Sequence, residues 1–160
     1  MSQNYDGVRS VFVAGPFWSL VNRVTNQVDS GPRAVIESVL GHFDTLGITV
    51  YNSHRRESWG SAMLEPAQFT LMDYEEINRS DLFVGFPGVP ASPGTHIEIG
   101  WASAADKPMV LLLEEGREYA GLVEGLPSFK RCVLVRYRDT VDFPQLDDAV
   151  GAARQMLCGI

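Results

Sequence analysis

Ser92 and Glu98 both fall in the segment Phe86-Pro87-Gly88-Val89-Pro90-Ala91-Ser92-Pro93-Gly94-Thr95-His96-Ile97-Glu98-Ile99-Gly100. Serine followed by proline is a favourable N-cap and first-turn pair. A helix opening there offers free amides, a partial positive charge and the serine hydroxyl to a phosphate. Glu98 would stand roughly 9 Å further along the axis, about the span from a 5′-phosphate to the anomeric carbon of a pentose. A carboxylate so placed can serve as nucleophile at a sugar carbon. Ser92 as a cap only, and Glu98 as an ordinary solvent-facing helix residue, fit the same pattern.

The surrounding elements must bring these residues to a cleft. Short apolar runs at residues 8–14, 48–51, 82–86, 109–113 and 132–135 read as strands. Residues 33–46, 67–78, 95–105 and 146–157 read as helices, with Val35, Val39 and Phe43 spaced four apart in the first of them. Gly47 stops that helix, and Pro66 suits the first turn of the next. Alternating strands and helices, with an almost wholly apolar fourth strand, predict an α/β fold with a parallel sheet covered on both faces. The expectation is a Rossmann-like (flavodoxin-like) three-layer sandwich, five strands in the order 2-1-3-4-5, formed as a single domain of residues 1–160. That order places a ligand between the loops leaving strands one and three. These are Gly15-Pro16-Phe17-Trp18 and residues 87–94, the two loops most marked by Gly, Pro and aromatics.

Composition narrows the classes. At 160 residues, 45% hydrophobic and 21% charged, the chain is an ordinary globular one. A net charge of −7 argues against nonspecific nucleic-acid binding. No apolar run approaches the ~20 residues of a membrane span, and the first ten residues hold no signal-peptide core. Two cysteines, Cys132 and Cys158, fit a reducing cytoplasm, and three scattered histidines give no zinc spacing. Neither a structural metal nor a cofactor is expected.

Several motifs recur together: Gly-Pro-Phe after the first strand, Tyr51-Asn52 with His54-Arg55-Arg56-Glu57 after the second, Asp73 with Glu76-Ile77 and Ser80-Asp81, and residues 92–102. In these the chain resembles the nucleoside 2-deoxyribosyltransferase superfamily. Within it, the likeness is to the CMP and 5-hydroxymethyl-CMP N-glycosidases of cytosine nucleoside antibiotic pathways, of the mildiomycin and blasticidin type. It spans roughly residues 11–126.

The resemblance implies hydrolysis of a pyrimidine nucleotide to base and ribose 5-phosphate. By it, Glu98 matches the nucleophile at C1′ and Asp73 the carboxylate that assists the departing base. Ser92 matches the phosphate-binding serine, with Gly94 in the same loop. Gly15 and Pro16 match the backbone that wraps the nucleotide, and Phe17 an aromatic wall of the pocket. Phe12 stands where deoxyriboside-specific relatives have tyrosine, which implies a sugar contact that tolerates a ribose 2′-OH. Asp81 matches an acidic position near the substrate or acts as a strand-start cap. Trp18, Trp59 and Trp101 line a base pocket or pack in the core, and Arg55 and Arg56 contact the nucleotide or are simply solvated. Ala120 replaces a polar residue that some relatives lend to a neighbouring subunit, yet a homodimer or higher homo-oligomer is still expected. Three other readings stay open: a deoxyribosyltransferase or deoxynucleotide N-glycosidase, a phosphoribohydrolase echoed by Gly94-Thr95-x-x-Glu98, and a non-enzymatic nucleotide-binding module.

Overall fold

The computed structural model describes residues 3–17, 21–22, 24, 27–28 and 30–156. Its elements run β1 (Ser10–Ala14), β2 (Val21–Asn22), β3 (Gln27–Val28), α1 (Ser30–Thr45), β4 (Thr49–Tyr51), α2 (Ser53–Arg56), α3 (Pro66–Arg79), β5 (Leu82–Gly85), α4 (Pro93–Ala104), β6 (Met109–Glu114), α5 (Gly121–Gly125), β7 (Cys132–Tyr137) and α6 (Phe143–Gln155). Five strands form one parallel sheet ordered β4-β1-β5-β6-β7. With the short antiparallel pair β2–β3 set aside, this is the expected 2-1-3-4-5 order.

Side-chain alternation along the strands divides the core between the two faces. Val11, Val13, Val84 and Val110 pack with Ile36, Val39 and Phe43 of α1 and Leu146 and Val150 of α6. Phe12, Phe83, Met109 and Leu111 pack with Ile77 of α3 and Ile99 and Ala102 of α4. Every residue of β5 is buried, as a strand covered by helices on both faces must be.

The ends of elements differ from the sequence reading. Helices α1, α4 and α6 open at Ser30, Pro93 and Phe143, earlier than expected, because each carries a proline in its first turn, where a missing N–H costs nothing. The first strand begins at Ser10, although Val8 is buried beneath it. The β2–β3 pair, one-turn α2 and short α5 carry too few residues to show a period. At the switch point the Phe86 amide donates to the Ala14 carbonyl at 2.9 Å, which ties the start of the third-strand loop to the end of β1. Gly88 then turns with φ +81°, and a Cβ there would meet Pro16 at 3.1 Å, so the two loops touch where only glycine fits.

Candidate active site

Helix α4 opens on Ser92, whose Oγ accepts from the Thr95 amide at 3.4 Å and from Thr95 Oγ1 at 3.1 Å. Neither bond uses the serine's own proton, which remains available to a ligand. Pro93 has no amide, and the Gly94 N–H lies in the first turn, where the helix supplies no acceptor. Thr95, Glu98, Ile99 and Ala102 form the buried stripe of this helix, at the i, i+3, i+4, i+7 spacing of one face. Glu98 is therefore 8% exposed and not solvent-facing. No group among the described residues hydrogen-bonds its carboxylate. Burial, then the charge of Asp73, pushes the Glu98 carboxyl well above the usual range, against a weaker opposing pull from Arg56.

Asp73 comes from α3, on the same face as buried Ile77. The helix is set by Pro66 and by a reciprocal capping pair between Glu65 and Gln68. Arg56 of α2 donates to Asp73 Oδ1 at 2.7 Å and to Glu76 Oε2 at 2.8 Å, and its Nη2 lies 3.6 Å from Glu57 Oε1. Burial raises the Asp73 carboxyl in spite of this cation, and Glu57 and Glu76 are raised in the same way. One guanidinium thus answers three acids, Glu57 and Asp73 buried and Glu76 half-buried, and is not a solvated arginine; its own buried Nε makes no hydrogen bond. Arg55, beside it, pairs with Asp44 on the surface.

The first loop supplies the opposite wall. Gly15 packs so closely that a Cβ would meet Ile36 at 3.2 Å and His54 at 3.3 Å. His54, fully buried, donates from Nε2 to the Pro16 carbonyl at 2.9 Å, and its Nδ1 accepts from Asn52 Nδ2 at 3.3 Å. Phe17 stacks on its ring with centroids 4.8 Å apart. Desolvation lowers the His54 pKa to about 4, the Pro16 bond opposing, so the ring is neutral at pH 7. Asn52 caps α2 and also donates to the Val13 carbonyl at 2.8 Å, which fixes the histidine relative to β1.

These walls enclose a cleft of about 250 Å³ lined by Gly15, Phe17, Met63, Phe69 and Ser92–Thr95 together with the acids Glu57, Asp73 and Glu98. A larger cleft, about 350 Å³, opens across Pro16 and Gly88 but includes none of these three acids. The cleft has a helix opening for an anion, a buried carboxylate deeper in, a second beside it and an aromatic wall. Among the described residues no group of three or more His, Cys, Asp or Glu is arranged to hold a metal ion.

Several expected residues lie elsewhere. Asp81 precedes β5 at the amino edge of the sheet and accepts from the Arg9 and Ser10 amides and the Ser10 hydroxyl at 2.9, 3.1 and 3.1 Å. It is a strand-start fastener, remote from the carboxyl edge where the cleft opens. Phe12 is fully buried and stacks on Phe83, because alternation two residues before Ala14 turns it into the core behind the cleft lining. Trp59 packs on His54 and under Arg33, and Trp101 meets Tyr74 on the outer side of α3 and α4. Trp18 lies outside the described residues. Glu57 was not singled out from sequence; its only signal was membership of the His54-Arg55-Arg56-Glu57 run.

No protein-family model matches the chain, and no curated protein matches it. Solved structures do. The solution structure of BlsM is 49% identical, with 92% of this chain and 90% of that one covered and a TM-score of 0.75. The Clostridium botulinum CMP N-glycosidase BcmB is 34% identical over 86% of this chain and 98% of its own, with a TM-score of 0.63. A conserved protein from Enterococcus faecalis V583, 17% identical with a TM-score of 0.59, shares the fold. With such identity running through nearly the whole of BlsM and BcmB, the chain belongs to the CMP N-glycosidase-like family.

Proposed function

We propose that the chain hydrolyses the N-glycosidic bond of CMP or a 5-substituted CMP, such as 5-hydroxymethyl-CMP, to free base and ribose 5-phosphate through a glycosyl-Glu98 intermediate. The observation that carries this reading is Glu98 on the buried stripe of the very helix that Ser92 opens, with Asp73 beside it in one cleft. The name of BcmB as a CMP N-glycosidase supports the substrate class.

In the first step the 5′-phosphate sits at Ser92 and the Gly94 amide, and the Glu98 carboxylate attacks C1′. The C1′–N1 electron pair leaves with the base, which takes its proton from the Asp73 carboxyl. Water then attacks C1′, gives its proton to Asp73 and releases Glu98 as carboxylate. The two acids therefore work with one proton between them, and their titration belongs to the pair. In the empty cleft that proton favours Glu98, since Asp73 has the bond from Arg56. Substrate binding must hand it to Asp73 before attack.

A homodimer belongs to the same proposal. Leu71, Tyr74 and Ile97 are exposed beside Trp101 on the outer side of α3 and α4, an apolar face that a second copy would cover.

Incubation with a panel of ribo- and deoxyribonucleotides and nucleosides, with released bases read by chromatography, tests the reading. Cytosine and ribose 5-phosphate should appear from CMP, with cytidine losing kcat as well as affinity because phosphate binding positions the sugar. Equal rates on cytidine and CMP would remove Ser92 from the phosphate role. Base exchange without hydrolysis would make the chain a transferase, and binding without turnover a nucleotide-binding module.

A further inference from the structure

Glu57 is a buried acid for which that mechanism has no task. It is 3% exposed and borders the cleft. Among the described residues its carboxylate has two polar contacts, both long: the Leu64 amide at 3.4 Å and Arg56 Nη2 at 3.6 Å. An ionised carboxylate has room for about four hydrogen bonds, and contacts of that length satisfy little of it. Arg56 directs its short bonds to Asp73 and Glu76, and its buried Nε makes none, so it leaves Glu57 with the long contact alone.

The backbone nonetheless holds Glu57 firmly in this position. Ser58 and Trp59 follow it with φ 48° and 56°, a left-handed conformation unusual for side-chain-bearing residues. The reversed chain brings the Gly60 and Ala62 amides onto the Glu57 carbonyl at 3.0 and 3.1 Å. Trp59 is buried against His54, the ring that also carries Phe17. The fold thus retains two uncommon backbone angles that keep an under-bonded carboxylate facing a cleft.

Its surroundings indicate what it meets. Asp73 lines the cleft with both Glu57 and Glu98, and it shares the Arg56 guanidinium with Glu57. The groups proposed for the phosphate, Ser92 and the Gly94 amide, lie with Glu98 at the opening of α4, while the apolar lining lies on the side of Glu57. Met63 belongs to the turn whose Leu64 amide Glu57 holds, Phe69 is one helical turn before Asp73, and Phe17 stacks on His54. Phosphate, sugar and base laid along the cleft in that order bring the base past Asp73 to this apolar slot. We infer that Glu57 reads the base: its carboxylate accepts a hydrogen bond from an exocyclic amino group of a planar base held against Phe17, Met63 and Phe69, and so favours an aminopyrimidine over its oxo counterpart. A carboxylate accepts naturally from the cytosine 4-amino group. The uracil 4-oxo oxygen in the same place would face lone pairs and leave both groups unpaired. This inference rests on the cleft being the nucleotide site.

The experiment is kcat/KM on CMP and UMP for the wild-type chain and for Glu57→Gln. Wild type should prefer CMP by on the order of 10- to 100-fold, the usual range for one well-made base contact. Glu57→Gln, whose amide can turn an N–H toward an oxo group, should shrink that preference about tenfold. A role confined to holding the Leu64 turn would lower both nucleotides equally, so an unchanged ratio within about twofold overturns the inference. Calorimetric titration of folded Glu98→Gln protein with CMP and UMP reads the same preference without turnover and without disturbing Glu57. Equal affinity for the two there would likewise overturn it. A wild-type chain that cleaves no nucleotide defeats the N-glycosidase reading instead, and the titration still decides Glu57.

Discussion

At the amino edge of the sheet Asp81 accepts three hydrogen bonds from Arg9 and Ser10; at the carboxyl edge Glu98 accepts none from the described residues and Asp73 shares one cation with two further acids. The titrations diverge accordingly. For Asp81 burial is the largest single influence and raises its carboxyl, but the Arg9 and Ser10 donors together outweigh it and hold the carboxyl below the usual value, whereas desolvation carries Glu98 and Asp73 above it. The first arrangement stabilises the folded chain at neutral pH and the second destabilises it. A carboxylate saturated with donors is fastening the fold, and one kept short of them is poised for proton or bond exchange.

The sharpest way to break that contrast is Glu98→Gln. Turnover should fall on the order of 1,000-fold or more, as for loss of a nucleophile. The thermal midpoint at pH 7 should hold or rise, because a carboxyl raised in the folded state costs stability above its unfolded pKa and the amide removes that cost. Turnover above about a tenth of wild type, or a markedly lower midpoint, would put Glu98 in the same class as Asp81. His54 sharpens the contrast by a different route. With its pKa lowered to about 4 in the folded chain, the unfolded chain binds a proton that the folded one refuses between about pH 6.5 and 4. Stability should decline as pH falls through that window, by about 3 kcal/mol in all. Denaturant unfolding at pH 7, 5.5 and 4 should show a steeper loss for wild type than for His54→Gln; parallel losses would mean the ring is not sealed. The smallest effect belongs to Asp81→Ala, which should lower stability by about 1–2 kcal/mol. Its kcat/KM should stay within about twofold of wild type, and a selective loss of activity would return Asp81 to the site.

The sheet order was legible because five apolar runs and four helical periods leave few right-handed topologies. The placement of Glu98 was legible in the spacing of Thr95, Glu98, Ile99 and Ala102, and the cap in Ser92-Pro93. The edge on which Asp81 lies was readable too, since a residue before a parallel strand belongs to the amino edge; the family match pointed the other way. What could not be read was the Arg56 cluster. Its partners come from α3, seventeen and twenty residues away, and ion pairs between elements leave no local period. Glu57 was hidden because it caps the end of a one-turn helix and is followed by two unusual backbone angles, so no period marks it.

Among the described residues one guanidinium stands at the centre of the site, and this has a consequence for how a ligand arrives. A nucleoside monophosphate brings nearly two negative charges to a molecule whose net charge is −7, toward a cleft where, among the described residues, acids outnumber the cation. Diffusional approach is then repelled, where most anion-binding clefts attract. Added salt shortens the reach of that repulsion, to about 10 Å at 0.1 M, so capture of a nucleotide should quicken as ionic strength rises. The encounter succeeds through contacts made at close range, at the opening of α4, and the speed of arrival is what the molecule gives up to keep Glu98 short of donors.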